Sequence, residues 1–180
     1  MKILLYRSHR GDPISYEIDA LERGHYCHAA LLIESPDIIQ AVKAKWGVKY
    51  PLGAPGHLII ESYYPCVRPR VLVPGELAAI DVFTVTCLKP GDDEAIEQWC
   101  LDHIEIVTYS VKDLFLFLAP VRAILGEPTT VQCQHSMFCS MFDFEAVRSR
   151  GIMLLRAHSY DMAPEYLSWS PLMTQGAPLQ

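Results

Sequence analysis

The run His28-Ala29-Ala30-Leu31-Leu32-Ile33-Glu34 restricts the fold more than any other stretch of the chain. Its apolar residues fall on both alternating faces, which suits a strand buried on both sides. Other segments read as companions for it. Lys2–Arg7 is a short apolar run of strand length, residues 58–64 and 67–73 are two extended segments joined at Pro65, and residues 79–87 alternate as a further strand. Ser35-Pro36 ends the central run. Arg10-Gly11-Asp12-Pro13 and the Gly/Pro-rich stretch around Pro51, Gly53, Pro55 and Gly56 punctuate the rest.

Helical spacing appears between and after these runs. Ile14, Ile18 and Leu21 share a helical face up to Gly24, and residues 37–46 place Ile38, Ile39, Ala41, Val42 and Trp46 in a helical pattern. Ile96, Trp99, Cys100 and Ile104 lie at i, i+3, i+4 and i+8, an amphipathic helix with an acidic first turn. Residues 111–125 are strongly apolar and helical, interrupted at Pro120. Buried between other helices, that segment is plain core; with a face exposed it would suit a fatty substrate or a protein partner. Residues 138–150 read as a helix with Ser136 as N-cap and Gly151 just past its end. The tail from about residue 160, with Pro164, Pro171 and Pro178, reads as irregular. Strands come early and helices late, the order of a segregated α+β fold, here a single domain over residues 1–180.

Composition narrows the function classes. Hydrophobic residues make up 51% and charged residues 20% of the 180, which excludes disorder. With 21 acidic against 15 basic side chains, and no basic cluster, nucleic acid is not expected as a partner. Six cysteines without a CxxC pair make neither a disulfide scaffold nor a zinc ribbon. The first residues lack the pattern of a signal peptide, and the longest apolar run, Leu114 to Val121, is far short of the ~20 residues that a membrane span requires. The default expectation is a cytoplasmic protein without a transmembrane segment; a virion-associated or partner-exported location stays open.

Three side chains stand where packing alone would not choose them. His28 opens an otherwise apolar strand. Cys139 falls in the first turn of its helix, where unpaired N–H groups and the positive end of the dipole favour a thiolate. Glu61, within His57-Leu58-Ile59-Ile60-Glu61-Ser62, shares a strand face with Ile59 and Tyr63, an awkward place for a lone carboxylate. A nucleophilic thiol needs an imidazole to share its proton, and the imidazole needs a third group to fix its tautomer. Each residue also has a plain reading: a buried cysteine fills space, a strand histidine is a hydrogen-bonded core residue, and a glutamate faces water. Cys133 and His135, with His25, His28 and Cys139, could be drawn as a zinc cluster, although C-x-H-x3-C and H-x2-H are not the spacings of a closed site. Packing for Cys133 and a loop at the cleft mouth for His135 are the simpler readings.

The stretch Phe138-Cys139-Ser140, an amphipathic helix and then Gly151-Ile152 resembles the nucleophile helix of the permuted NlpC/p60 superfamily, the YiiX-like branch of papain-like thiol hydrolases. Arg23-Gly24-His25-Tyr26-Cys27-His28-Ala29-Ala30-Leu31 resembles that family's histidine strand. Ile59-Ile60-Glu61-Ser62 with Val67-Arg68-Pro69-Arg70-Val71-Leu72 is similar to its acidic strand and the basic segment after it. Val107-Thr108-Tyr109-Ser110 and the terminal Pro164-x-x-Leu167-x-x-Ser170-Pro171 match further elements, in the family's order and over roughly residues 20 to 173. Met141 departs from the pattern, standing where the family often has Glu.

The resemblance implies a circularly permuted papain-like α+β fold, with His28 and Glu61 on successive strands of an antiparallel sheet facing a helix that begins near Cys139. It implies acyl transfer at an amide, such as that of a peptidoglycan peptide, with Cys139 as nucleophile, His28 as base and Glu61 as orienter. Gln40, in Ile38-Ile39-Gln40-Ala41, is the alternative third member and Glu34 a remote one. Tyr26 and Tyr109 are candidates for substrate binding or the oxyanion. No metal or organic cofactor is required. The partner implied is a peptide or acyl substrate, with a protein assembly partner where one supplies localisation. Two alternatives remain: a non-catalytic structural or interaction protein that retains the fold, such as a phage-tail or secretion-assembly component, and a lipid-ester acyl hydrolase.

Overall fold

Alternation in the extended runs is realised as one six-stranded antiparallel sheet. Its strands are β1 (Lys2–Arg7), β2 (Tyr26–Ile33), β3 (Leu58–Tyr63), β4 (Cys66–Val71), β5 (Ile80–Val85) and β6 (Met173–Gln175), in the order β4-β3-β2-β1-β5-β6. The structure is a computed structural model that describes residues 1–7, 25–49, 56–109 and 135–179. The helical spacing at Ile14, Ile18 and Leu21, the Gly/Pro-rich stretch from Pro51 to Pro55, and the apolar segment 111–125 lie outside these residues.

β2 sits between β1 and β3, and Ala29 through Ile33 are at most 3% exposed, so the doubly apolar run is covered on both faces as its sequence requires. One face carries Ile3, Leu5, Ala29, Leu31, Ile33, Leu58 and Ile60. Against it pack α1 (Pro36–Trp46) through Ile38 and Val42, α2 (Asp92–His103) through Ile96 and Cys100, α3 (Cys139–Arg148) through Phe142 and Phe144, and α4 (Pro164–Ser168) through Leu167. The other face carries Leu4, Ala30, Leu32, Ile59, Ile80 and Val82, with Leu72, Leu77 and Leu179 packed on it. Burying a side chain such as Leu31 contributes about 2 kcal/mol, so the middle of the sheet anchors both layers.

The helix boundaries follow local chemistry. α1 starts with Pro36 in its first turn and closes on Gly47, whose φ of 61° is left-handed. α3 is followed by Gly151 at φ 74°, where the expected terminating glycine stands. Its start differs from expectation. Phe138, in extended conformation, occupies the N-cap, and Ser136 instead bridges the backbone of Thr108. The tail is not irregular throughout: α4 forms after Pro164, and β6 adds an edge strand to β5. The order of strands before helices is therefore only approximate, since α1 follows β2 and β6 comes last.

The ladders leave one opening. β2 pairs with β3 only from Leu31↔Ile60 to Ile33↔Leu58, whereas β2 runs on to Tyr26 beside β1 and β3 runs on to Tyr63 beside β4. His28 and Glu61 both lie beyond the last paired residues. Among the described residues, no helix is long and apolar enough to cross a membrane.

Candidate active site

At this opening the sheet brings together the three residues singled out in the sequence. Strand alternation turns His28 and Glu61 to the same side, and His28 Nε2 lies 2.9 Å from Glu61 Oε2. The Cys139 thiol acts on the same imidazole, where with Glu61 it favours the charged ring. Cys139 is the first residue of α3; the first backbone bond of that helix runs from Phe142 N–H to the Phe138 carbonyl. The Cys139 N–H therefore lies ahead of the hydrogen-bonded ladder, among the donors that a helix start leaves unpaired.

Two serines fix the helix start. Ser62 Oγ, on β3, donates to the Met137 carbonyl at 2.6 Å, and Ser140 Oγ donates to the Met162 carbonyl. Both hydroxyls are buried. They tie the residues flanking Cys139 to the sheet on one side and to the segment before α4 on the other.

Glu61 is 1% exposed, and its charge is met by three cations. His28 faces Oε2, while Arg68 (Nε 3.2 Å, Nη2 3.1 Å) and Arg70 (Nε 2.8 Å) donate to Oε1. Burial pushes the carboxyl up, but His28 and then Arg70 outweigh it and hold Glu61 at about 2. For His28, burial opposes the charged form, and the Cys139 thiol and Glu61 reverse that effect; the ring is raised well above its ordinary 6.5. A histidine next to both a thiol and a carboxylate is the set of side chains that thiol acyl-transfer chemistry draws on. Arg70 is fully committed, with Nη1 on Glu76 at 2.9 Å and Nη2 on the Tyr6 hydroxyl at 3.2 Å. Tyr6 and Tyr63 flank the His28 ring, at 5.1 and 5.8 Å between centroids.

The remaining candidates lie elsewhere. Tyr26 donates its hydroxyl to Asp81 Oδ2 at 3.0 Å, which removes it as an oxyanion donor in this arrangement. Burial and the Asp81 bond push that phenol up to about 12. Tyr109 packs against the helix-side core, its N–H on the Pro65 carbonyl. Gln40 is exposed on α1, and the side chain that bonds to His28 is Glu61. Glu34 is exposed and paired with Lys2 at 2.6 Å. His135 is exposed, and His25 offers its backbone N–H to Glu165. Cys133 lies outside the described residues, among which no three metal-ligating side chains gather.

Sequence reasoning missed Asp143. It is fully buried one turn below Cys139, and neither carboxyl oxygen has a hydrogen-bond partner among the described residues. Burial raises it well above its ordinary 3.8, with the His28 charge pulling the other way, so the fold favours the protonated acid beside the site. The i, i+4 spacing from Cys139 was the signal available, because it places the carboxyl on the helix face that carries the thiol. The chain matches no protein-family model and no curated protein.

Proposed function

We propose that this protein is a cysteine hydrolase of the permuted NlpC/p60 type, cleaving or transferring an acyl group at an amide. What carries the reading is one observation: the His28 ring bonded to the buried Glu61 carboxylate, with the Cys139 thiol close enough to act on it. In this scheme the Cys139 thiolate attacks the carbonyl carbon, and the Cys139 backbone N–H is a donor for the developing oxyanion. His28 gives its proton to the leaving amine as the tetrahedral intermediate collapses to a thioester. It then takes a proton from water, whose oxygen attacks the thioester and releases the acid. Glu61 keeps the ring oriented and charged. A peptide amide of the kind found in peptidoglycan is the substrate class proposed.

The test is thiol alkylation. Iodoacetamide should label Cys139 faster than it labels free cysteine at mildly acidic pH, and His28→Ala should slow that labelling by about 100-fold. Slow labelling that ignores the His28 substitution would end the catalytic reading. Incubation with purified wall fragments and with phospholipid esters then separates amide from lipid-ester hydrolysis. One observation favours a second reading, a non-catalytic protein that retains the fold: Cys139 is only 2% exposed. The same labelling experiment decides between the two.

A further inference from the structure

Two arginines bind Glu61, and only one of them is spent on doing so. Arg70 places all three of its nitrogens on Glu61, Glu76 and Tyr6. Arg68 uses Nε and Nη2, both on the single oxygen Oε1, and Nη1 has no partner among the described residues. A guanidinium carries five N–H donors. The side edge of Arg68 is thus engaged, while its end, formed by Nη1 and the outer hydrogen of Nη2, is unpaired among the described residues. Its position is braced as well: the guanidinium carbon lies 4.3 Å over the Tyr63 ring centroid, and Tyr63 stands edge-on to His28. The Arg68 side chain is 42% exposed and Tyr63 is 47% exposed, so this corner faces solvent next to the imidazole.

A guanidinium held by its side edge and stacked on its face is pre-organised to receive a planar anion at its end. Two parallel N–H···O bonds fit a carboxylate there. Resting on the hydrolase reading above, we infer that the substrate is an acidic peptide whose carboxylate docks on Arg68 while its scissile carbonyl lies at Cys139. From the sulfur to that docking point the path crosses the imidazole and Glu61. The carboxylate therefore belongs to a neighbouring side chain of the substrate and not to the reacting group.

The pair N-chloroacetyl-glutamic acid α-amide and N-chloroacetyl-glutamine α-amide tests this, because the two differ only in carboxylate against carboxamide. Each alkylates Cys139 by forming a sulfur–carbon bond as the carbon–chlorine bond breaks; chloride leaves and the thiol proton stays on His28. The acid should react with wild type about 10-fold faster than the amide at low salt. That ratio should fall toward one as salt screens the charge. Arg68→Gln, which keeps a donor to Glu61, should bring the ratio to about one at any salt, and Arg68→Lys should give an intermediate value. A purely structural role for Arg68 would lower both rates and leave their ratio unchanged. A wild-type ratio near one, or a ratio that survives Arg68→Gln, overturns the proposal while rapid labelling leaves the hydrolase reading standing. Labelling of Cys139 by neither probe above the rate of free cysteine overturns both.

Discussion

Glu61 concentrates the electrostatics of the site in one side chain. It is buried on a strand, where an unpaired carboxylate would cost several kcal/mol, and it is tolerated because His28, Arg68 and Arg70 all point at it. Glu61→Gln keeps the shape and removes the charge. The buried side of the network is then left with uncompensated cations, and a loss of about 3 kcal/mol in unfolding free energy is expected by urea titration. His28 loses a support of its charged form in the same variant, so the alkaline limb of Cys139 alkylation should move to lower pH. An unmoved limb would mean that Glu61 does not charge the ring. The residues of this trio were readable because each violates the apolar pattern around it. The roles of Arg68 and Arg70 were not, because alternating basic residues on a strand read equally well as a solvated face until the cross-strand pair Glu61↔Arg68 sets the register. Asp143 was hidden for a related reason: on a helix, an acid among Phe142, Phe144 and Ala146 reads with Glu145 as the polar face, yet α3 is buried nearly all round.

Elements that bury a regular pattern were the easiest to foresee. β1 was read with its observed bounds, and the doubly apolar β2 lies inside the sheet as expected. What went astray depended on contacts distant in sequence. β6 is three residues long and exists because β5 offers it an edge, and Ser136 is taken from its expected capping place by a bridge to Thr108. The start of α3 is instead held by the Ser62 hydroxyl on the Met137 carbonyl, a contact across 75 residues. Ser62→Ala leaves that carbonyl buried without its donor, and about 1–3 kcal/mol of stability should be lost. Because the bond fixes where Cys139 sits and not how His28 titrates, alkylation of Cys139 should slow while its pH midpoints stay in place. A shift in those midpoints would show that Ser62 acts on the charge of the site and not on the position of the helix.

For the whole molecule, the buried titratable groups pull stability in opposite directions with pH. Glu61 is held at about 2 against an ordinary 4.5, so its contribution, roughly 3 kcal/mol, is present above pH 4.5 and is lost as pH falls through 2. Asp143 has the reverse sign. Its folded-state value lies well above 3.8, so the native state keeps a proton that the unfolded chain releases, and stability falls as pH rises from 3.8 toward the folded value. His28 adds to that decline from 6.5 upward, because its raised folded value means that the native state again binds the extra proton. Maximal stability is therefore expected in weakly acidic solution. Asp143→Asn keeps the buried shape and removes one of the two declining contributions. It should match wild type well below pH 3.8, where both side chains are neutral, and exceed it progressively as pH rises above that. Thermal unfolding would register about 3 °C for each kcal/mol recovered in a chain of this size. Parallel pH profiles for the two proteins would mean that Asp143 is ionised in the native state, and the neutral acid beneath the thiol would have to be abandoned.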